Sequence, residues 1–223
     1  MRLSIVPLSL ACLLVALPAM AGVRHGAATH RGADGSVARV HGSRATEGAS
    51  IAWHAGGSRL GSDGSRSHAR ASGVSGANGS VARGSRTTVG SDGTLSHARG
   101  HVIHGANGGS EQAGRSVQRN PDGSLQAGYS ASGQGAAGGR FASSGSRTRA
   151  ADGDRAAMRQ TTASGTRGSY AGSTTRDDGT LDHTSTLTGQ QGNTYQGQTS
   201  YSKGEGVSHS GSCSNAQGQT VQC

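Results

Sequence analysis

An all-β array of repeated strand-turn-strand units is the fold class this sequence predicts, and three observations predict it. A turn-forming dipeptide recurs at a nearly fixed interval, no apolar stripe of helical period survives, and large apolar side chains are scarce. The Asp-Gly members of the series are Asp34-Gly35, Asp63-Gly64, Asp92-Gly93, Asp122-Gly123, Asp152-Gly153 and Asp178-Gly179, spaced 29, 29, 30, 30 and 26 residues apart. Midway between them fall Glu47-Gly48, Asn78-Gly79, Asn107-Gly108, Ala137-Gly138, Arg167-Gly168 and Gln191-Gly192. The unit is therefore about 15 residues, grouped in pairs of about 29, and such self-similarity marks a repeat architecture.

The first segment, residues 1–21, reads as a secretory signal peptide. Arg2 supplies a positive start, the run from Leu3 to Leu17 is apolar, and Pro18-Ala19-Met20-Ala21 offers a small-residue cleavage site before Gly22. The apolar run is too short for a membrane span, and no later stretch reaches that length. Export to the periplasm, the cell surface or the extracellular space follows. Residues 22–33 read as a loose lead-in, and the repeat domain is expected over 34–222, with 140–175 its least regular copies.

Within each unit, turn chemistry fixes where strands begin. Gly90-Ser91-Asp92-Gly93-Thr94 places Asp before a glycine able to take positive φ, a strong hairpin signal. Strand-like segments follow, such as Ser36-Val37-Ala38-Arg39, Ser80-Val81-Ala82-Arg83 and Thr94-Leu95-Ser96-His97. Alternate residues of a strand face opposite sides. One face is then Ser, Ala, Thr or Gly, and the other carries Val or Leu followed by a base. Two architectures fit: a β-solenoid with one coil per 29 residues, or a long antiparallel meander with the two turn series at its two edges. The solenoid is favoured slightly, because a long flat meander needs a second layer.

The last unit ends in Cys213 and Cys223, the two cysteines left once Cys12 departs with the signal peptide. A pair ten positions apart around one more turn, Ser214–Gln219, predicts a disulfide closing a terminal hairpin in an oxidising compartment. His209 is the single histidine nearby, so a zinc set is incomplete and no metal is expected there.

Leu, Ile, Val and Phe make up about a tenth of the residues after position 21, and Gly about a fifth. Such a chain cannot bury a thick core. It is either largely disordered or a thin structure held by backbone hydrogen bonds, and the regular turn spacing favours the second.

From Thr184 to Gln222 bases thin out, and Gln, Asn, Ser, Thr and Tyr take over, as in Gly189-Gln190-Gln191-Gly192-Asn193-Thr194-Tyr195-Gln196. This part resembles the repeats of curli-type bacterial amyloid subunits, through composition more than position. The resemblance implies self-assembly and transfers no catalytic or binding residue.

No chemical motif stands out. The Gly-x-Gly patterns lack the strand-and-helix context of a nucleotide site, and acids at every 29th residue do not make a calcium repeat. His101 and His104, three apart, fall on opposite faces of a strand. Neither an enzyme nor a cofactor is expected. Charge is more informative: 21 Lys plus Arg stand against 12 Asp plus Glu, and Lys203 is the sole lysine. The acids sit mainly in turns and the arginines in strands. Arg39, Arg66, Arg70, Arg83, Arg86, Arg99 and Arg115 are the candidate polyanion-binding residues, toward extracellular DNA or acidic polysaccharide. Ten histidines would add charge on acidification. The same arginines also serve to keep an edge-rich sheet soluble. The reading is a secreted structural or adhesive repeat protein of a matrix or cell surface. A polyanion-binding module that does not assemble and a largely disordered secreted chain are the alternatives.

Overall fold

Each interval between turn glycines is occupied by one β-strand in the computed structural model, which describes residues 22–223. The expected signal peptide, with Cys12, lies outside the described residues. The strands are β1 (Gly22–Arg31), β2 (Val37–Glu47), β3 (Ser50–Leu60), β4 (Arg66–Gly76), β5 (Gly79–Val89), β6 (Leu95–Gly105), β7 (Ser110–Arg119) and β8 (Leu125–Gln134). They continue with β9 (Arg140–Arg149), β10 (Arg155–Gly165), β11 (Gly168–Asp177), β12 (Thr180–Gly189), β13 (Thr194–Ser202), β14 (Gly206–Ser214) and the short β15 (Thr220–Val221). All fifteen form one open sheet in sequence order, every neighbour antiparallel.

The chain is thus a meander, and the favoured solenoid is corrected by its turns. In the first, Gly32 N donates to Ser36 O at 2.9 Å and Gly35 N to Gly32 O at 3.1 Å, while Gly35 takes φ 82°. This is a tight turn followed by a left-handed glycine, which reverses the strand within the sheet plane. Asp34 Oδ1 accepts from Ser36 N at 3.0 Å and fixes the corner. Equivalent backbone pairs recur at Gly61, Gly90, Gly105, Asn120, Gly135, Ala150, Gly189 and Asn215. A solenoid needs an arch that carries the chain out of plane into a second layer, and loops this short and this closed cannot make one. Every dipeptide of both series lies in a turn or at the strand end that borders one. Asp178, at φ 31°, is the one non-glycine residue with positive φ among those described.

Two further expectations change. Residues 22–31 are not a loose lead-in but a full strand, paired with β2 from Gly22↔Thr46 to Arg31↔Val37. Residues 140–175 pair as regularly as the rest, because the ladder needs only backbone and the turns on either side retain their glycines. Cys213 and Cys223 are bonded, with Cα atoms 5.2 Å apart, and they close the β14–β15 hairpin. No helix of the described residues is long and apolar enough to cross a membrane.

The sheet has almost no interior. Ala71, at 9% exposure, is the one buried apolar residue among those described, while Val23 and Val207 are 64% and 71% exposed. The chain's accessible surface is 15798 Å², against roughly 9,300 Å² for a compact protein of this mass. In place of a core, rings lie over glycines. A Cβ added at Gly73 would stand 2.6 Å from Trp53 Nε1, and one at Gly145 would stand 2.6 Å from Tyr129 Cε1. Phe141 covers Gly133, Tyr170 covers Gly172, and Tyr195 covers Gly197 and Gly211 in the same manner. Bare glycine leaves backbone open to water, and a ring from the adjacent strand, or for Gly172 and Gly197 from two positions back along the same strand, covers it there.

Candidate functional site: one basic face

In an antiparallel ladder, directly opposed residues share a face, so the register sorts every side chain onto one of two planes. One row runs Arg39, Ser58, His68, Thr87, His97 across β2 to β6. The next row on that face runs His41, Gly56, Arg70, Ser85, Arg99, Arg115 across β2 to β7. The third runs Ser43, His54, Ser72, Arg83, His101 across β2 to β6. Outside these three rows the same face carries the apolar side chains, Val37, Leu60, Val89 and Leu95 toward one edge and Val74, Val81 and Ile103 toward the other.

The opposite face is smooth. Its central row reads Gly42, Ala55, Ala71, Gly84, Gly100, Gly114, Ser130 and Ser144 over β2 to β9, with nothing larger than a hydroxymethyl group. Along the centre of the sheet the expected pattern of a small-residue face against a face with bases is therefore present, while the flanking rows of the smooth face also carry Val40, Trp53 and Val102.

Of the predicted polyanion-binding arginines, Arg39, Arg66, Arg70, Arg83, Arg99 and Arg115 share the basic face. Arg86 does not: it pairs with Ala69 and Ala98 on the smooth face. Arg83 lies four residues after Gly79 and Arg86 seven, and an odd offset turns a strand side chain over. The same parity adds residues outside that candidate set, including His54, His97, His101, Arg147, Arg159 and Arg176. In all, eighteen arginines lie in strands; five of them (Arg24, Arg44, Arg59, Arg86 and Arg140) are on the smooth face and thirteen on the basic one. Eight of the ten histidines join the latter, His30 and His104 being the exceptions.

Acids are kept elsewhere. Asp34, Asp63, Asp92, Asp122, Asp152, Asp154, Asp178 and Glu205 all lie in turns along one long edge, and the turns of the other edge contain none. Within the strands of the basic face only Glu47 and Glu111 are acidic, and His101 Nε2 sits 3.2 Å from Glu111 Oε1. Among the described residues no arginine forms an ion pair with a carboxylate. Hydrogen bonding holds Asp34, Asp63 and Asp122 below the usual carboxylate range, first from the hydroxyls of Ser36, Ser65 and Ser124 and then from their backbone N–H groups. For Asp92 the backbone N–H of Thr94 leads. Asp154 is pushed up instead, by the charges of Asp152 and then Asp178.

Several of the basic side chains are held by the ladder itself. Arg70 Nε donates to Ser85 Oγ at 3.1 Å, and Arg83 Nε to Ser72 Oγ at 3.0 Å, each across a directly opposed pair. Imidazole Nδ1 atoms are tied in the same way: His54 to Ser43 Oγ at 2.7 Å, and His97 to Thr87 Oγ1 at 2.9 Å. His183 and His209 repeat the arrangement with Thr174 and Thr199, both at 2.9 Å. The guanidinium termini and the Nε2 edges of His54, His97 and His183 are thereby left free, while His209 Nε2 meets Tyr195 OH at 3.3 Å. Arg99 and Arg115 oppose each other directly. A shallow depression of about 490 Å³ opens at the β1–β5 end, with Arg31, Arg39, Arg66 and His68 in its lining. No group of three or more His, Cys, Asp or Glu among the described residues is placed to hold a metal ion.

Comparison with protein families, with curated proteins and with solved structures gives no match.

Proposed function

We propose that the protein is an exported structural or adhesive component of an extracellular matrix or cell surface, and that it works as an assembly of copies. The observation that carries this reading is a fifteen-stranded sheet without a second layer. Sheets of this size ordinarily bury at least one face. The smooth face, free of large side chains along its centre, permits the close approach of a second sheet. The two faces are unlike, so stacking smooth on smooth leaves thirteen of the eighteen strand arginines outward and only five to be accommodated beside the contact.

The sheet ends support growth in the other direction. β15 pairs only with Cys213 and Ser214, so Gly206–Ser212 of β14 have no partner on their outer side, and neither does β1. Fourteen full-length strands alternate in direction, so β1 of a next copy would meet β14 antiparallel and continue the meander. β14 contains no Lys, Pro or acid, the devices that ordinarily protect a sheet edge. The curli-like composition of residues 184–222 points the same way, and a disulfide suits an oxidising compartment.

Fibre formation by the oxidised protein lacking residues 1–21 tests the reading. Diffraction from aligned material should give spacings of about 4.7 and 10 Å. Ser208→Lys with Ser210→Lys in β14 should stop elongation while the far-UV spectrum stays that of the parent. A protein that remains folded and monomeric for days at high concentration would overturn the proposal.

A further inference from the structure

The basic face presents unpaired cations in a regular plane, and its local cost identifies what it lacks. Opposed like charges destabilise a strand pair. Arg99 and Arg115 stand directly opposite each other, with no carboxylate within ion-pair distance of either. Arg70 and Arg83, two strands and one strand from Arg99, have their Nε atoms committed to serine hydroxyls and their terminal NH₂ groups free. That arrangement spends side-chain freedom in advance and aims paired donors outward, the geometry that suits a planar oxyanion. The rows run perpendicular to the strands, so consecutive positions along a row are about 4.8 Å apart and the cations form a line across many strands. A matching ligand is long and thin and carries anions at short, regular intervals.

Between the cations the rows are hydroxylic: Ser58, Ser72, Ser85 and Thr87 lie on the same face. Such groups exchange hydrogen bonds with a ligand rich in hydroxyls. Aromatic platforms are absent where the arginines are densest. β1 to β7 carry no Phe, Tyr or Trp on this face; Trp53 is on the smooth one, opposed to Arg44 and Gly73. Further along, Tyr129, Phe141, Tyr170 and Tyr195 are occupied in covering glycines. Single-stranded nucleic acid is ordinarily held by base stacking on such rings. A duplex is a stiff rod, and it meets a plane along one line of phosphates rather than across three rows.

We propose that the basic face binds a linear acidic polysaccharide laid along its rows, with Arg70, Arg83, Arg99 and Arg115 as the central contacts. Carboxylates or sulfates of the chain sit between neighbouring guanidinium groups, and the sugar hydroxyls meet the intervening Ser and Thr side chains. The smooth face takes no part, so binding and sheet stacking are compatible on one molecule.

The test compares two variants of equal net charge. One carries Arg70→Gln, Arg83→Gln, Arg99→Gln and Arg115→Gln; the other carries Arg24→Gln, Arg44→Gln, Arg59→Gln and Arg86→Gln. Binding to polygalacturonate, to neutral dextran and to duplex DNA is measured by titration calorimetry against salt, after far-UV spectra have shown both variants folded. Light scattering confirms a common oligomeric state, so a failure of assembly and a failure of binding are read separately. The basic-face variant should lose about 10- to 100-fold in affinity for polygalacturonate near 0.15 M salt. Its slope of log K on log salt should fall by about 3, since four anionic sites are no longer neutralised. The smooth-face variant should keep most of the parent's affinity, and dextran should not bind. Equal losses in the two variants would reduce the effect to net charge and overturn the proposal. Tighter binding of duplex DNA, with the same dependence on face, would overturn it in favour of nucleic acid. If the basic-face variant does not fold, the four Arg→Lys replacements take its place; they should retain the salt slope and lose affinity.

Discussion

Gly73→Ala tests whether rings over glycine stand in for a core. The new methyl carbon would lie 2.6, 2.8 and 2.9 Å from Nε1, Cε2 and Cζ2 of Trp53, well inside contact distance. The ring has to move by about 1 Å, and on an open sheet it does so by lifting toward water rather than by straining the backbone. Losing one ring face, about 50 Å² of contact, costs about 1.3 kcal/mol. Replacing glycine where φ is ordinary returns about 0.4–1 kcal/mol through the unfolded chain. The net change in stability is therefore small, about 0.3–0.9 kcal/mol of destabilisation on these figures. The spectroscopic change is not small, because Trp53 is the sole tryptophan. Its emission should shift to the red and its quenching by acrylamide should rise. Gly26→Ala is the control: nothing lies within 4 Å of the added carbon, so stability should hold or improve and the emission should not change. An unaltered emission maximum and quenching constant in Gly73→Ala would refute the idea that Trp53 rests on this glycine.

The turns predict an acid limb of stability. Asp34, Asp63, Asp92 and Asp122 have folded values below the ordinary 3.8, so their contribution is fully present above that value and is lost as pH falls through the depressed ones. Unfolding midpoints recorded from about pH 5 to 2 should decline, and Asp63→Asn should make the decline shallower. Asp154 has the opposite sign, its folded value being raised by neighbouring acids, so Asp154→Asn should stabilise the protein at neutral pH. Reducing Cys213–Cys223 removes a constraint worth about 2.7 kcal/mol for a loop of this length. Because β15 pairs only two residues, amide exchange should quicken across β14 and β15 and stay unchanged from β1 to β12. Glu at Ala38, Ala82 and Ser96, all on the smooth face, should slow assembly without weakening polyanion binding.

Strand boundaries were legible because glycine at positive φ has few substitutes. Gly35, Gly64, Gly93, Gly123 and Gly153 end equivalent turns, and each is preceded by an Asp whose carboxylate accepts from the residue two positions on. Alternation then gave the two faces wherever a clear triplet followed the turn. Where the count from the turn was not carried through, as at Arg86, a residue was assigned by its charge and not by its parity. The choice between solenoid and meander was not legible from periodicity, since both repeat every 29 residues. It lies in the closure of the loops, either two or three residues long or held by two backbone hydrogen bonds within five residues, which the sequence expresses only through its spacing of small residues. The role of the rings was missed for a related reason. Tyr129 and Gly145 are sixteen positions apart, and their contact appears only once register is known.

The lack of a core and the separation of charge belong to one design. A fold whose contacts are all between neighbouring strands is stabilised locally, hairpin by hairpin, and imposes no demand for large apolar side chains at particular points. That freedom lets one face collect most of the bases while the central row of the other is kept to glycine, alanine and serine. It also leaves each copy with little stability beyond its ladders, so any layer laid against the smooth face, or any polyanion that relieves the opposed Arg99 and Arg115, adds directly to it. Ligand and partner copy should therefore each raise the unfolding midpoint. Because they use different faces, their effects should add within about 0.5 kcal/mol. A strong coupling between polyanion binding and assembly would mean that the two faces are not independent, and that the sheet changes its twist when either is covered.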